Sequence, residues 1–225
     1  MWTRPVAIAT ILAAAAFIAA GCAAGEGSES SAAAPTTALP PWNYPPAEYR
    51  SEIAIPLDEA TADAARFAMQ YRIDRPRALD DRDGATSILS RVSPEEALPD
   101  CYHPTGTPNP ATGGELYKTV GAKVIDDQGT IEFTLCEYFT PGLYYRDRDT
   151  GGLFAGSNHL LYTLWSPRVR FTTENAADGR TTTEPRWLVV GHGKQLLTPS
   201  ERDLKDQACR PYMPEPFVQI TPTPR

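Results

Sequence analysis

The spacing of apolar positions changes character three times along this chain. From Val6 to Ala20 the positions are apolar almost without interruption, and Arg4 is the single charge before them. Residues 23–46 then show no apolar period at all. From Leu57 the apolar positions fall at Leu57, Ala60, Ala64, Phe67, Ala68 and Tyr71, a helical spacing that predicts a helix over about 58–71. Pro56 and the acids Asp58 and Glu59 suit its start, and Arg75-Pro76 is expected to end it. A shorter helical piece is expected near 85–91 and a weak turn at Ser93-Pro94, and residues 101–114 read as a Pro- and Gly-rich loop.

Beyond residue 115 the period falls to two. Residues 116–125 predict a strand, Asp126-Asp-Gln-Gly129 a hairpin turn, and Thr130–Phe139 a second strand. In that strand Ile131, Phe133 and Leu135 face one way, while Glu132, Thr134, Cys136 and Tyr138 face the other. A third strand is expected from about His159 to Thr173, interrupted at Ser166-Pro167, and a fourth over 186–191. One turn of helix near Pro199 and an extended Pro-rich tail over 211–225 complete the pattern. Helices followed by consecutive antiparallel strands predict an α+β fold, with N-terminal helices packed on a curved four-stranded antiparallel sheet.

The first apolar run is shorter than the roughly 20 residues a bilayer span requires. A charged start, a short apolar stretch and small residues at its end predict a signal peptide over 1–21. Its last residues, Ile18-Ala-Ala-Gly-Cys22, resemble the bacterial lipobox, with Ala19 where that motif usually carries a larger aliphatic residue. The resemblance implies cleavage before Cys22 and a diacylglycerol on its sulfur. The protein would then sit on the outer face of the cytoplasmic membrane, its partner there being the lipid bilayer, held through the acyl chains. Residues 22–46 become a polar, Pro-rich tether and 47–210 a single α+β domain.

Charge narrows the partners. With 21 basic and 28 acidic residues, the chain carries a net −7. An acidic surface argues against nucleic acid and against electrostatic adhesion to anionic lipid. With Cys22 lipidated, Cys101, Cys136 and Cys209 remain for one disulfide and one thiol, as export to an oxidising compartment favours. No CxxC occurs, and neither a metal site nor a cofactor is expected. Asp80–Gly84 does not match the ligand positions of a calcium-binding loop.

His103, His159 and His192 each supply a candidate general base, but no GxSxG elbow accompanies them, and no catalytic residue is assigned. Glu132 and Glu137 lie on opposite faces of one strand and cannot act as an acid/base pair. Tyr138, Tyr162, Trp165 and Trp187 are the candidate pocket residues, since aromatics between a helix and a sheet suit an apolar or sugar ligand.

The order of elements resembles the cystatin-like and nuclear-transport-factor-2-like folds. The block from Thr119 to Cys209 resembles, more narrowly, a group of actinobacterial lipoproteins with no activity attached. They pair a strand cysteine, here Thr-Leu-Cys136-Glu-Tyr, with a later Trp strand, here Arg-Trp187-Leu-Val-Val, and a late cysteine, here Cys209. Tyr138 stands where that group usually carries an Asp, so a role for that acid does not carry over. The resemblance implies a Cys136–Cys209 disulfide, with Cys101–Cys209 as the alternative. The outward phase of Cys136 agrees, because a tail crossing the outer face would reach it.

These features point first to a non-catalytic lipoprotein acting through an envelope protein or other envelope component. A carrier of a small apolar or lipid ligand in a helix–sheet pocket comes second. An enzyme using a His or an acid in that pocket comes third.

Overall fold

A computed structural model describes residues 39–78, 82–97, 109–156, 160–193 and 199–225. Cys22, the tether up to residue 38, Cys101, His103 and His159 lie outside these residues. Among the described residues, three helices and a seven-stranded mixed sheet form the architecture: β1 (Glu48–Ile53), α1 (Glu59–Ala78), α2 (Arg82–Leu89), β2 (Ala111–Val124), β3 (Ile131–Arg146), β4 (Leu153–Ala155), β5 (Tyr162–Trp165), β6 (Pro167–Thr172), β7 (Arg186–His192) and α3 (Pro199–Cys209). Among the described residues no helix is long and apolar enough to cross a membrane.

Asp58 starts α1 by accepting the Thr61 backbone N–H at 2.9 Å and its hydroxyl at 2.7 Å. The helix does not end before Pro76 as expected but runs through it to Ala78. Pro76 removes only one backbone donor and stands in the last turn, where little helix remains to be disrupted. The small side chains of Ala64, Ala65 and Ala68 are fully buried and let the helix approach the sheet closely.

β3 organises the sheet. Along one edge it pairs with β2, and along the other with β6, β5 and β4 in turn, all antiparallel. β7 extends the sheet from β6, and β1 adds a parallel edge strand to β2. The expected four strands are therefore seven. β1 and β4 were not anticipated, β2 begins four residues inside the expected loop, and the long third strand is two strands broken at Ser166. The turn at Asp126 forms as expected: its Oδ1 accepts the N–H groups of Gln128 and Thr130, and Gly129 takes a φ of 75°.

Both faces of the sheet are covered. On one, Ile131, Phe133 and Leu135 pack with Val169 and Val189 against Ala64, Ala68, Met69 and Tyr71 of α1. On the other, Leu116, Cys136, Tyr138 and Tyr162 pack with Cys209 at the end of α3. α3 runs eleven residues where one turn was expected.

Candidate functional site

The α1 face of the sheet carries a buried polar cluster. Glu115 and Tyr117 stand two apart on β2 and so share a face, and Tyr117 lies opposite Glu137 on β3. A register shift between Gly114 and Leu116 sets Glu115 opposite residues 139–141 of β3, and its side chain lies beside Tyr117. The Tyr117 hydroxyl lies 2.6 Å from Glu115 Oε2 and 3.3 Å from Glu137 Oε1. Arg72 of α1 grips Glu137 Oε2 through Nη2 at 2.8 Å and Nε at 3.2 Å, and the Thr163 hydroxyl donates to the same oxygen at 3.1 Å. Glu115, Tyr117 and Glu137 are 4, 1 and 6 % exposed, so bulk solvent does not reach them.

Burial, reinforced by the nearby Glu137 charge, pushes the Glu115 carboxyl up to about 7. Burial and the two carboxylates hold the Tyr117 phenol far above its ordinary value, so it stays protonated. Burial works against the Arg72 charge, but Glu137 outweighs it and the guanidinium stays charged. The cluster therefore holds one readily protonated acid beside an ion pair. General acid–base chemistry needs hydrogen-bond reach to a substrate, and α1 and the sheet close that reach off.

The cluster continues toward β7. The Arg72 guanidinium lies 5.6 Å from the Trp165 ring centroid, and Trp165 stacks on Tyr71 at 5.9 Å. His192 packs on Trp165 at 5.0 Å, and its Nε2 lies 3.2 Å from Glu96 Oε2. Burial, with the charges of Arg75 and Arg72, pushes the His192 imidazole down to about 4. It is therefore neutral near pH 7, and its contact with Glu96 is a hydrogen bond from a neutral ring rather than an ion pair. His192 Nδ1 is buried with no partner among the described residues.

Cys136 and Cys209 form a disulfide on the opposite face, the pairing the resemblance implied. Beside it the Tyr138 hydroxyl donates to the Cys209 carbonyl at 2.6 Å, and the Tyr162 hydroxyl donates to Asp206 Oδ1 at 2.8 Å.

The four aromatics singled out from the sequence do not share a pocket. Strand alternation sends Tyr138 and Tyr162 under α3, with Trp165 and Trp187 on the α1 side. Tyr138 and Tyr162 pack on each other, and Trp165 is taken up by Tyr71, Arg72 and His192. Trp187 lines an open cleft. Glu132 and Glu137 do lie on opposite faces: Glu132 pairs with Arg168 at 2.7 Å on the outer side. Glu115 and Arg72 were missed, although Glu137 stood in phase with Ile131, Phe133 and Leu135, which marks a carboxylate on an apolar face.

No group of three metal-ligating side chains occurs among the described residues. No known family model matches the chain, and no curated protein or solved structure matches it either.

Proposed function

We propose that this protein is a lipoprotein anchored through Cys22 to the outer face of the cytoplasmic membrane. In this reading its domain is a non-catalytic module for an envelope component. The observation that carries the choice of a binding module is the filled interior between α1 and the sheet. Ala64, Ala68, Met69, Tyr71, Phe133 and Leu135 occupy the space where a carrier would hold its ligand. The titratable groups on that face are bonded to one another under α1, which favours a structural role over catalysis. A disulfide in a folded domain suits an oxidising compartment. The finer architecture we propose is a cystatin-like roll, with α1 laid across the β2–β3 hairpin and β1, β4 and α3 as additions.

The test is fractionation of cells producing the Cys22→Ala chain. Release into the medium, or accumulation of an uncleaved precursor, is the expected result. Unchanged membrane retention of a normally cleaved chain places the anchor elsewhere. Native mass spectrometry of the wild-type protein from its own host adds the second arm: a retained apolar ligand would replace the interaction module with the carrier.

A further inference from the structure

We propose that the cleft beside Trp187 binds a sugar carrying an anionic group, and that this is the envelope chemistry the domain recognises. The cleft has a volume of about 470 Å³, which falls within the range of small-ligand sites. It lies where α1, the end of α2, β7 and the loop between β6 and β7 meet. Phe67 of α1 and Trp187 of β7 supply apolar walls. Three guanidinium groups, Arg91, Arg180 and Arg186, line the same space with Asp178 as the one acid. In a chain of net charge −7, a concavity lined by three cations and one anion has the opposite sign to the rest of the molecule.

The three arginines are not equally engaged. Arg91 is paired with Asp74 at 2.9 Å. Arg180 reaches Asp178 at 3.3 Å, but its own side chain is 75 % exposed while that of Asp178 is 6 % exposed. Arg186 has no carboxylate partner among the described residues. One of its nitrogens donates to the carbonyls of Glu174 and Arg180 at 3.3 and 3.4 Å, long contacts that steady the loop, and the other donors of the planar fork have no partner among the described residues. A guanidinium with free parallel donors matches a carboxylate or a phosphate.

The aromatic walls ask for more than an anion. Trp187 is already packed at 5.1 Å on Phe171, which braces the indole at the side of the cleft. The cleft stays open to solvent; at its rim the Ser90 hydroxyl donates to the Ser87 carbonyl and the Thr182 hydroxyl to the Glu184 carbonyl, which steadies the surrounding loops. A wholly apolar ligand would leave the guanidinium groups unmatched, and a bare anion would leave the aromatics unused. A pyranose ring with a carboxylate or phosphate answers both, with an apolar face for the indole and an anion for Arg186 and Arg180.

The geometry stands by itself, and the proposal rests on the lipoprotein reading only for where the sugar is met. Its test is calorimetric titration of the purified full chain with four probes: a glucuronic acid–N-acetylglucosamine disaccharide, glucose 6-phosphate, cellobiose and inorganic phosphate. Saturable binding of one or both acidic sugars is expected, about tenfold or more tighter than cellobiose or inorganic phosphate. The better of the two identifies the anion. Arg186→Gln and Arg180→Gln should each weaken it, Arg186→Gln by about tenfold or more. Arg180→Gln alters an exposed side chain, so it keeps the test valid if Arg186→Gln disturbs the loop. Binding of neither acidic sugar, equal binding of cellobiose, or unchanged affinity in both variants overturns the proposal. Because the titration uses purified protein, it succeeds or fails independently of the Cys22→Ala fractionation.

Discussion

Tyr117 holds its hydroxyl oxygen 2.6 Å from Glu115 Oε2, with Glu137 Oε1 3.3 Å from the same oxygen. A phenol has one proton to give, so two ionised carboxylates cannot both be served. With Glu115 protonated, its own O–H can donate to Tyr117 and free the phenol proton for Glu137. A neutral Glu115 is the state in which every member of the cluster is satisfied. Its pKa, raised from 4.5 to about 7, makes the folded chain hold a proton that the unfolded chain has released. Stability from this group is complete below about pH 4.5 and is lost as pH rises to about 7. Glu115→Gln, which cannot ionise, should flatten this slope. Relative to wild type it should gain on the order of 1–3 kcal/mol on passing from acid to pH 8, as read from urea midpoints across pH. An unchanged slope would mean that Glu115 ionises freely.

His192 works in the opposite sense. Its imidazole is pushed down from 6.5 to about 4, so the unfolded chain binds a proton in that window and the folded chain does not. Its contribution is present above about pH 6.5 and is lost as pH falls toward 4. His192→Gln should remove this acid-side loss and leave the Glu115 slope in place. Thermal melts of the two single variants from pH 4 to 8 should separate the two slopes.

How far these groups were legible depends on phase. The alternation of Thr130–Phe139 placed Cys136 and Glu137 on opposite faces, and both positions hold. It does not reach Glu115, which lies in β2 just before the strand expected over 116–125. β1 reads Glu-Tyr-Arg-Ser-Glu-Ile, too charged to resemble a strand, since one edge and much of its surface stay in water. α1 was seen but cut short, because a proline stops a helix in its middle more effectively than in its last turn. The separation of the four aromatics has a tertiary reason. The four aromatics were grouped by type, whereas strand parity and the break at Ser166 divide them between two faces.

Arg72 and Glu137 form a largely buried ion pair. Arg72→Met leaves Glu137 charged without its guanidinium, and a loss of about 3–5 kcal/mol is expected. Pairing it with Glu137→Gln should recover most of that loss. A double-mutant cycle in urea reads the coupling, and strictly additive losses would show that the pair is not coupled.

The Cys136–Cys209 disulfide joins residues 73 apart in sequence and ties α3 to the sheet. Reduction, or Cys136→Ser with Cys209→Ser, should cost roughly 2–4 kcal/mol. Non-reducing peptide mapping should find these two cysteines linked. A Cys101–Cys209 peptide would overturn the pairing.

Gly114 lies where β1 meets β2. A Cβ there would collide with the carbonyl oxygen of Glu48. Gly114→Ala should therefore loosen β1 and cost about 1–3 kcal/mol. Hydrogen exchange should show faster exchange of the Glu48–Ile53 amides, with protection at Phe133 and Leu135 in β3 retained.

The last residues return across the molecule. Thr140 donates its hydroxyl to the Val218 carbonyl at 2.8 Å, the Ile220 N–H donates to Pro141 at 2.8 Å, and the Arg225 N–H donates to Asn43 at 2.9 Å. The two ends of the described fold therefore meet, and its polypeptide is nearly a closed ring. Such a ring can be opened elsewhere: a short linker from Arg225 to the segment before Asn43, with new ends at the exposed Asp126–Gly129 turn, should give a circularly permuted protein with the same sheet.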